Sequence, residues 1–339
     1  MQSVSDFLHQ RQGAKIALVV HQRPDGDALG SAVGLADTLT SQGWPTRVVN
    51  PRPLPAYLGF IAYADLVAFH EEENWADNYD CLGVLDCGEI SRLDEHNRPA
   101  VDRLPTFTID HHASTVTGLG QAVWVEPDAS STGEMITRFC RDAGWPVSAR
   151  AALGLWTAVV TDTGRFSYEN TSAAALEAAR FCVECGASPS VAADNLYQSV
   201  SLAERKLQTT VLLRMEVYEQ GRLAVSWLRA QDFVQAKSGV EDSQNLINIL
   251  RDTTGVEVAI FLYEPAMPNM EGVIKASFRS RAPLDCLKVV HQFGGGGHQR
   301  AAGCTLSGPM EEARKTILAA ARQAYFTESR ELAQEPVVK

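Results

Sequence analysis

The stretch His21-Gln-Arg-Pro-Asp25-Gly-Asp27-Ala-Leu-Gly30-Ser31 follows directly on a short apolar run at residues 16–20. Continuous apolar runs rich in β-branched residues are typical of strands that are buried on both faces, as in parallel sheets. The proline and glycine inside the stretch favour a turn after that strand. Residues 28–42 then have helical spacing and end at Gly43. The stretch therefore predicts a strand, a turn and a helix, the start of an α/β domain.

Two further apolar runs also end on side chains that can bind metal. Residues 81–85 lead into Asp86, and residues 106–109 lead into the triplet Asp110-His111-His112. In open α/β sheets, ligands bind beyond the carboxyl ends of the strands. We therefore expect the three polar clusters to open onto one crevice of a mostly parallel sheet.

The chain has 339 residues. A single hydrophobic core rarely stabilises a chain of this length, so two domains are expected. An α/β domain with a mostly parallel sheet is predicted at residues 1–186, and further helices are expected at 149–160 and 172–185. A polar segment at 187–212 is interpreted as the interdomain linker. It is followed by a smaller α/β domain at 213–326 and a tail at 327–339.

The predicted C-terminal domain again alternates strand and helix patterns. Strands are expected at residues 223–228, 256–262 and 275–281, and helices at 244–250 and 284–293.

The composition limits the partners that the protein can bind. The formal net charge is −11, which argues against coating long nucleic acid, because such binding depends on many Lys and Arg side chains. No apolar run approaches the ~20 residues of a membrane span, and residues 1–15 lack the apolar core of a signal peptide. We therefore expect a cytoplasmic protein.

The stretch at 21–31 holds three candidate metal ligands. Asp25 and Asp27 lie two residues apart on a turn that can aim two carboxylates at two cations, and His21 adds a nitrogen ligand. The alternative is an Asx-type turn that caps the helix, but the coincidence of one histidine and two carboxylates favours ligands. The adjacent imidazoles of His111 and His112 are expected to face different directions, so that one binds metal and the other reaches the substrate.

Imidazole and carboxylate ligands together favour Mn²⁺. Zn²⁺, Co²⁺ and Fe²⁺ are alternatives, and Mg²⁺ is disfavoured without being excluded because it prefers oxygen ligands. The ligands suffice for two cations, and two metals about 4 Å apart suit the hydrolysis of a phosphate ester. Asp86 alone could equally be a helix cap or a loop carboxylate.

Two other segments allow both a structural and a functional interpretation. Ser131-Thr-Gly-Glu134 is interpreted as a capping box, although its hydroxyl groups could touch substrate. The glycine run at 294–297 could be a flexible linker, but it lies inside a folded pattern, where its backbone N–H groups could approach an anion. Charge-assisted bonds to phosphate would come from three arginines, Arg279, Arg281 and Arg300.

These motifs together resemble the DHH phosphoesterase family, in particular its members with a C-terminal DHHA1 domain. The resemblance rests on the HxxxDxD pattern at 21–27, Asp86, the triplet at 110–112, Asp162 in a Thr-Asp-Thr-Gly context, and GGGGHQRAAG at 294–303.

The resemblance implies roles for the side chains of these motifs. One metal would be bound by His21, Asp25 and Asp86. The second would be bound by Asp27, Asp86, His111 and Asp162, which makes Asp86 a bridge. His112 would contact the scissile phosphate and assist the leaving group, with Asp110 orienting the histidines. The substrate-binding residues would be Arg165, Arg279, Arg281, Gly295, Gly296, Gly297, His298 and Arg300.

Length and domain content are similar to the compact NrnA-type enzymes of this family, which degrade very short RNA and often remove the 3′-phosphate of adenosine 3′,5′-bisphosphate. The resemblance therefore implies a hydrolase with two Mn²⁺ ions per chain, or Mg²⁺, Co²⁺ or another divalent metal, acting on short RNA oligonucleotides or small phosphorylated nucleotides. Long duplex nucleic acid and membranes are not expected partners, and a homodimer stays open. The alternatives are a phosphodiesterase for linear dinucleotides such as pApA, a single-strand exonuclease, an inorganic pyrophosphatase, and a nucleotide-binding regulator without turnover.

Overall fold

The computed structural model describes residues 1–50, 54–69, 74–113, 115, 118–198, 200–243, 245–267, 270–281 and 283–326, with the backbone alone at residue 298. The chain divides into two compact units, Met1–Ser199 and Val200–Lys339. The division falls inside the segment interpreted as a linker, which forms two helices rather than an irregular connection. The bounds of the predicted domains stay predictions, and the predicted tail lies outside the described residues.

The N-terminal unit contains a six-stranded sheet in which all strands are parallel. Its strands lie in the order β3-β2-β1-β4-β5-β6 and are β1 Ile16–Val19, β2 Thr46–Asn50, β3 Val67–Phe69, β4 Cys81–Leu85, β5 Thr106–Asp110 and β6 Ala122–Val125. Every residue of β1, β4 and β5 is buried. The predicted parallel sheet is confirmed, and the three strands before the polar clusters are neighbours at its centre.

Seven helices accompany this sheet within the described part of the unit. They are α1 Gln2–His9, α2 Gly26–Ser41, α3 Arg98–Arg103, α4 Thr132–Asp142, α5 Ala149–Asp162, α6 Ala173–Glu184 and α7 Pro189–Tyr197. Serine hydroxyl groups accept the capping hydrogen bonds of α4 to α7, and the Asp25 carboxylate caps α2. These caps satisfy backbone donors that the first helical turn leaves free.

Helix α2 packs unusually close to α5. A Cβ atom built on Gly30 would lie 2.3 Å from the Gly154 carbonyl oxygen, and one on Gly26 would lie 2.4 Å from the Thr161 hydroxyl oxygen. Only glycine at positions 26 and 30 allows this approach. The contact brings the first turn of α2 next to the last turn of α5.

The C-terminal unit contains a second six-stranded sheet, in the order β11-β12-β10-β9-β8-β7. Its strands are β7 Glu216–Tyr218, β8 Leu223–Leu228, β9 Val258–Tyr263, β10 Val273–Ser280, β11 Gly296–His298 and β12 Ala301–Ser307. Only the β8–β9 pair is parallel among these described strands. Its helices are α8 Leu202–Leu213, α9 Ala230–Ala236, α10 Leu246–Arg251, α11 Leu287–Val290 and α12 Met310–Tyr325.

Two expectations for this unit need correction. The helix predicted at 284–293 is confined to α11 and a following 3₁₀ turn, His291–Phe293. The glycine run is neither a linker nor an irregular loop, because residues 296–298 form the edge strand β11 and pair with β12. None of the described helices has the length and apolar character required to cross a bilayer.

We predict that Gly30→Ala lowers the free energy of unfolding by about 1–3 kcal/mol, because the added methyl group would meet backbone atoms of α5. Gly59→Ala is the matched control, since a Cβ atom there meets nothing within 4 Å. Urea unfolding followed by tryptophan fluorescence measures both variants. Equal stability of the two variants would show that α2 can move away from α5 at little cost.

Candidate metal centre

The polar clusters after β1, β4 and β5 meet at the carboxyl end of the sheet. His21 follows β1, Asp86 follows β4, and the two histidines follow β5. Asp86 has a φ of 54°, a left-handed conformation that non-glycine residues rarely adopt. Such a conformation costs roughly 1–3 kcal/mol and is common at functional sites.

Helices α2 and α5 add three more carboxylates to this site. Asp25 precedes α2, and one of its oxygens accepts a hydrogen bond from the Ala28 N–H at 3.0 Å. Asp25 therefore caps helix α2 with one oxygen, as the alternative interpretation of this stretch expected. Its second oxygen faces His21. Asp27 lies in the first turn of α2 and is buried, whereas Asp162 ends α5.

The first group of potential ligands is His21, Asp25 and Asp86, whose candidate atoms lie within 4.8 Å of one another. His21 Nε2 lies 3.6 Å from Asp86 Oδ2 and 3.9 Å from Asp25 Oδ2. This separation leaves space for an ion among the three side chains.

The second group is Asp27, His111 and Asp162, within the same limit of 4.8 Å. His111 Nε2 lies 3.6 Å from Asp27 Oδ2, 3.3 Å from Asp162 Oδ2 and 3.6 Å from Asp86 Oδ1. The two oxygens of Asp86 thus face different groups. The structure brings together all six side chains that the sequence analysis proposed as ligands.

His112 lies beside His111 and turns a different ring nitrogen towards Asp86. The rings of His111 and His112 lie 4.7 Å apart between centroids, and His112 Nδ1 also lies 3.5 Å from Asp86 Oδ1. His111 faces the candidate ligands with Nε2, whereas His112 faces Asp86 and Asp110 with Nδ1, and the two ring planes are tilted by 56°. That one imidazole binds metal while the other reaches the substrate stays a prediction.

Asp110 is buried and holds His112 rather than both histidines. Its Oδ1 accepts hydrogen bonds from His112 Nδ1 at 2.7 Å and from the His112 N–H at 3.2 Å, and Thr115 donates to Oδ2. Burial acts to raise the pKa of Asp110, but these bonds hold its pKa below the usual value. His111 instead has Nδ1 at 3.2 Å from the Ala129 carbonyl oxygen.

The N-terminus of α4 contacts two candidate ligands, which the sequence analysis did not predict. Thr132 N–H and Gly133 N–H donate to the two oxygens of Asp27 at 2.8 and 2.9 Å, and Ser31 donates to Asp27 Oδ1 at 3.0 Å. The Thr132 hydroxyl donates to Asp86 Oδ1 at 3.1 Å. The capping role of Ser131 is confirmed, and that helix start was the only sequence signal for these contacts.

The carboxylates of the site are held in a setting that disfavours their charge. Burial raises the pKa of Asp27, and burial together with the charge of Asp27 raises the pKa of Asp86 well above its usual range. The pKa of Asp162 is raised by the same causes, although 31% of its side chain is exposed. Burial lowers the pKa of His21. Crowded carboxylates and a neutral imidazole suit a bound divalent cation.

The predicted substrate-binding residues lie in both units. In the N-terminal unit, Arg165 is exposed, has a φ of 62°, and places its guanidinium carbon 5.0 Å from the centre of the Tyr197 ring. In the C-terminal unit, Arg281 donates to the carbonyl oxygens of Val256 and Arg251, and Arg300 donates to those of Arg281 and Leu284.

Arg279 lies on β10 and donates to the Phe278 carbonyl oxygen. Gly295 and Gly297 pack tightly against β12, whereas a Cβ atom on Gly296 would meet nothing within 4 Å. The His298 side chain lies outside the described residues.

Two family models match the chain. The DHH family N-terminal domain matches residues 15–159, and the DHHA1 domain matches residues 220–325. The chain thus combines a DHH domain with a DHHA1 domain.

Similar proteins cover almost the whole chain. A Thermus thermophilus protein named bifunctional oligoribonuclease and PAP phosphatase NrnA is 29% identical, covering 95% of this chain and 94% of its own length. A Bacillus subtilis protein of the same name is 26% identical over 86% of this chain and 89% of its own. The crystal structure of an exopolyphosphatase-related protein from Bacteroides fragilis is 27% identical, with a TM-score of 0.87 over 95% of this chain and 96% of that one.

For this DHH/DHHA1 protein we predict that Thr132→Val weakens Mn²⁺ binding by about 10–100-fold, because Asp86 loses the hydroxyl that orients it. Thr132→Ser keeps the hydroxyl and is expected to bind Mn²⁺ as the wild type does. Isothermal titration calorimetry measures the three affinities. Equal affinity of the valine and serine variants would contradict an orienting role for this hydroxyl.

The raised pKa values predict how the stability of the metal-free protein depends on pH. The pKa values of Asp27, Asp86 and Asp162 are higher in the folded state than in the unfolded state. At pH values between the unfolded and the folded pKa, the folded state therefore binds more protons than the unfolded state. Metal-free stability therefore falls as the pH rises from about 4 through the raised values. We expect the metal-free Asp86→Asn variant to be more stable than the metal-free wild type at neutral pH, because asparagine removes a buried carboxyl group whose charged form is disfavoured.

Thermal unfolding in EDTA across this pH range, and again with Mn²⁺, measures both effects. Asp86→Asn should also lose most of the stabilisation by Mn²⁺. The control is Asp142→Asn, which changes an exposed carboxylate at the end of α4. A metal-free Asp86→Asn variant that is less stable than the wild type at neutral pH would contradict this prediction.

Proposed function

We propose that the protein is a divalent-metal-dependent phosphoesterase that hydrolyses very short RNA oligonucleotides and the 3′-phosphate of adenosine 3′,5′-bisphosphate. The observation that carries the proposal is the presence of two adjacent ligand groups, His21–Asp25–Asp86 and Asp27–His111–Asp162. Asp86 lies between them, because its Oδ2 is 3.6 Å from His21 Nε2 and its Oδ1 is 3.6 Å from His111 Nε2. Relatives named oligoribonuclease and PAP phosphatase support the substrate class.

The donor set fits two divalent cations, with Mn²⁺ favoured by its mixture of imidazole and carboxylate groups. The first ion would be held by His21, Asp25 and Asp86, and the second by Asp27, Asp86, His111 and Asp162. Two such ions would activate water and offset charge on the phosphate oxygens. The crowding of carboxylates with raised pKa values supports this assignment, because cations would offset their mutual repulsion.

His112 is the proposed general acid. Because Asp110 accepts from His112 Nδ1, the other ring nitrogen, Nε2, is the atom that would give a proton to the leaving oxygen. Asp110 is a positioning residue, since it fixes the ring without contacting the reacting group. The lowered pKa of Asp110 keeps its carboxylate charged, so that it can accept the hydrogen bond from His112 Nδ1.

The open edge of β11 is proposed as a phosphate-binding surface of the DHHA1 domain. The backbone at Gly296 is exposed, and a Cβ atom there would meet nothing within 4 Å, so an anion could approach this part of the edge strand. Gly295, Gly297, His298 and Arg279 complete the proposed set. Arg281 and Arg300 are assigned first to holding the adjoining backbone, because they donate to its carbonyl oxygens.

Substrate size, cellular location and a second candidate substrate also belong to the proposal. A small substrate fits the net charge of −11, and a cytoplasmic location is proposed with it, whereas a homodimer stays open. Hydrolysis of pApA is retained as the second candidate, since it needs the same site and a substrate of similar size.

We predict that the Mn²⁺-loaded protein hydrolyses an RNA trimer, pApA and adenosine 3′,5′-bisphosphate faster than pyrophosphate or a long single strand. His112→Ala should lower kcat by about 100-fold to 10,000-fold, and EDTA should abolish turnover. Product release is followed by chromatography at equal substrate concentrations. His9→Ala is the matched control, because His9 lies on α1 and outside the ligand groups.

Each alternative function predicts a different result with this set of substrates. Fast turnover of pyrophosphate alone would overturn the proposal in favour of a pyrophosphatase. Equal rates on trimers and long strands at moderate salt would indicate an exonuclease. Binding of nucleotides without turnover would indicate a regulator.

A further inference from the structure

Two arginines that the proposed mechanism does not use lie beside the metal centre. The loop after β1 is joined to the turn before α3, because the Gln22 N–H donates to the Arg92 carbonyl oxygen at 2.9 Å and His21 forms an antiparallel bridge with Leu93. Arg23 follows Gln22 directly. The backbone therefore brings Arg23 and Arg92 to the side of the site that is bounded by His21.

A third arginine fixes the segment that carries Arg92. Arg98 Nε donates to the Leu93 carbonyl oxygen at 3.1 Å, and Arg98 Nη2 donates to that of Ser91 at 3.0 Å. Both carbonyl groups flank Arg92 in the chain. The position of Arg92 is thus set before any ligand arrives, which lowers the entropy cost of binding.

Arg23 and Arg92 have no carboxylate partner within 4 Å among the described residues. Other arginines of the chain, such as Arg138 and Arg214, form ion pairs. The charges of Arg23 and Arg92 are therefore not offset by a carboxylate within 4 Å among the described residues, a property that they share with Arg47 and Arg98. Arg23 is exposed and Arg92 is half-buried, so both can reach a ligand.

Electrostatic effects agree with this placement. Burial is the main cause of the lowered pKa of His21, and Arg92 and Arg23 lower it further. Arg92 also opposes the burial that raises the pKa of Cys87 to about 11. Their positive charge therefore extends to the residues at the His21 edge of the site.

We propose that Arg23 and Arg92 bind a second phosphate of the substrate, one that is not cleaved. Guanidinium groups bind phosphate oxygens in pairs and stay charged at all relevant pH values. The scissile phosphate would be taken by the metal centre, so an arginine pair at its edge suits a neighbouring phosphate. The ligand class is a nucleotide with two phosphates, such as a nucleoside bisphosphate or a 5′-phosphorylated dinucleotide.

This inference rests on the proposed function, and two matched substrate pairs test it. Adenosine 3′,5′-bisphosphate differs from 3′-AMP only by the 5′-phosphate, and pApA differs from ApA in the same way. We expect the wild type to have a KM at least about tenfold lower for the bisphosphorylated member of each pair, since a charge-assisted bond contributes on that scale. In Arg23→Gln with Arg92→Gln, the ratio of the two KM values should fall towards one.

Arg47→Gln is the matched control. Arg47 is an exposed arginine of the same unit, near the amino end of β2, whereas the metal centre lies at the carboxyl ends of the strands. This variant should keep the wild-type ratio. Single variants at positions 23 and 92 show whether both arginines contribute.

Two results would overturn the proposal while leaving the phosphoesterase function intact. The first is equal KM values of the wild type for both members of each pair. The second is an equal loss of kcat for both members in the double variant, which would place the arginines on the scissile group.

The binding of adenosine 3′,5′-bisphosphate and 3′-AMP to the full chain with Ca²⁺ in place of Mn²⁺, measured by calorimetry, separates the two hypotheses. A divalent cation is kept because the bare carboxylates of the centre would repel phosphate. A preference for the bisphosphate that the double variant loses supports the arginine site even where no substrate is turned over. Equal affinity of the wild type for both nucleotides overturns it.

Discussion

Asp86 links the two candidate metal sites, and its backbone conformation is the constraint on which their geometry depends. Its Oδ2 faces His21, whereas its Oδ1 faces His111, His112 and the Thr132 hydroxyl. A carboxylate can serve both sides only if it projects from the end of the central strand β4 into the crevice. The left-handed φ of 54° provides that projection at a cost in local stability. Bound cations would offset this cost together with the repulsion among the carboxylates.

The second constraint is the contact between α2 and α5, which determines where Asp27 and Asp162 lie. Because Gly26 and Gly30 let the helices approach within a distance that a methyl group would prevent, both carboxylates reach His111. The N-terminus of α4 then stabilises Asp27 through two backbone N–H groups. A helix N-terminus suits a buried anion, since its free donors and dipole favour negative charge. Packing and electrostatics thus position the same side chain.

The parallel sheet and the potential ligands His21, Asp25, Asp27 and His111 could be predicted from the sequence, because strand ends and short motifs are local features of the chain. Asp86 and Asp162 were assigned through the family resemblance instead. The contacts of Asp27 were not predictable in this way, since its donors Thr132 and Gly133 are more than a hundred residues away. The direction of His112 depends on Asp110 and on the loop after β5, which no periodicity describes. The glycine run was ambiguous for a related reason, because an edge strand of glycines shows its pairing with β12 only in the fold. Local patterns indicated which residues matter, and tertiary contacts decided how they are held.

The negative charge of the candidate metal centre and of the whole chain bears on how many phosphates the proposed substrate can carry. The centre gathers Asp25, Asp27, Asp86, Asp110 and Asp162 in a chain whose net charge is −11, so a phosphate group would be repelled without bound cations. Metal ions would reverse the sign of the potential locally, and Arg23 and Arg92 would extend the positive region along one edge. Beyond roughly a Debye length, about 8–10 Å, added phosphates would gain little from these cations. If the proposed function holds, the first one or two phosphates of a substrate would therefore contribute most to binding and further phosphates would add little, which favours short substrates without any steric barrier.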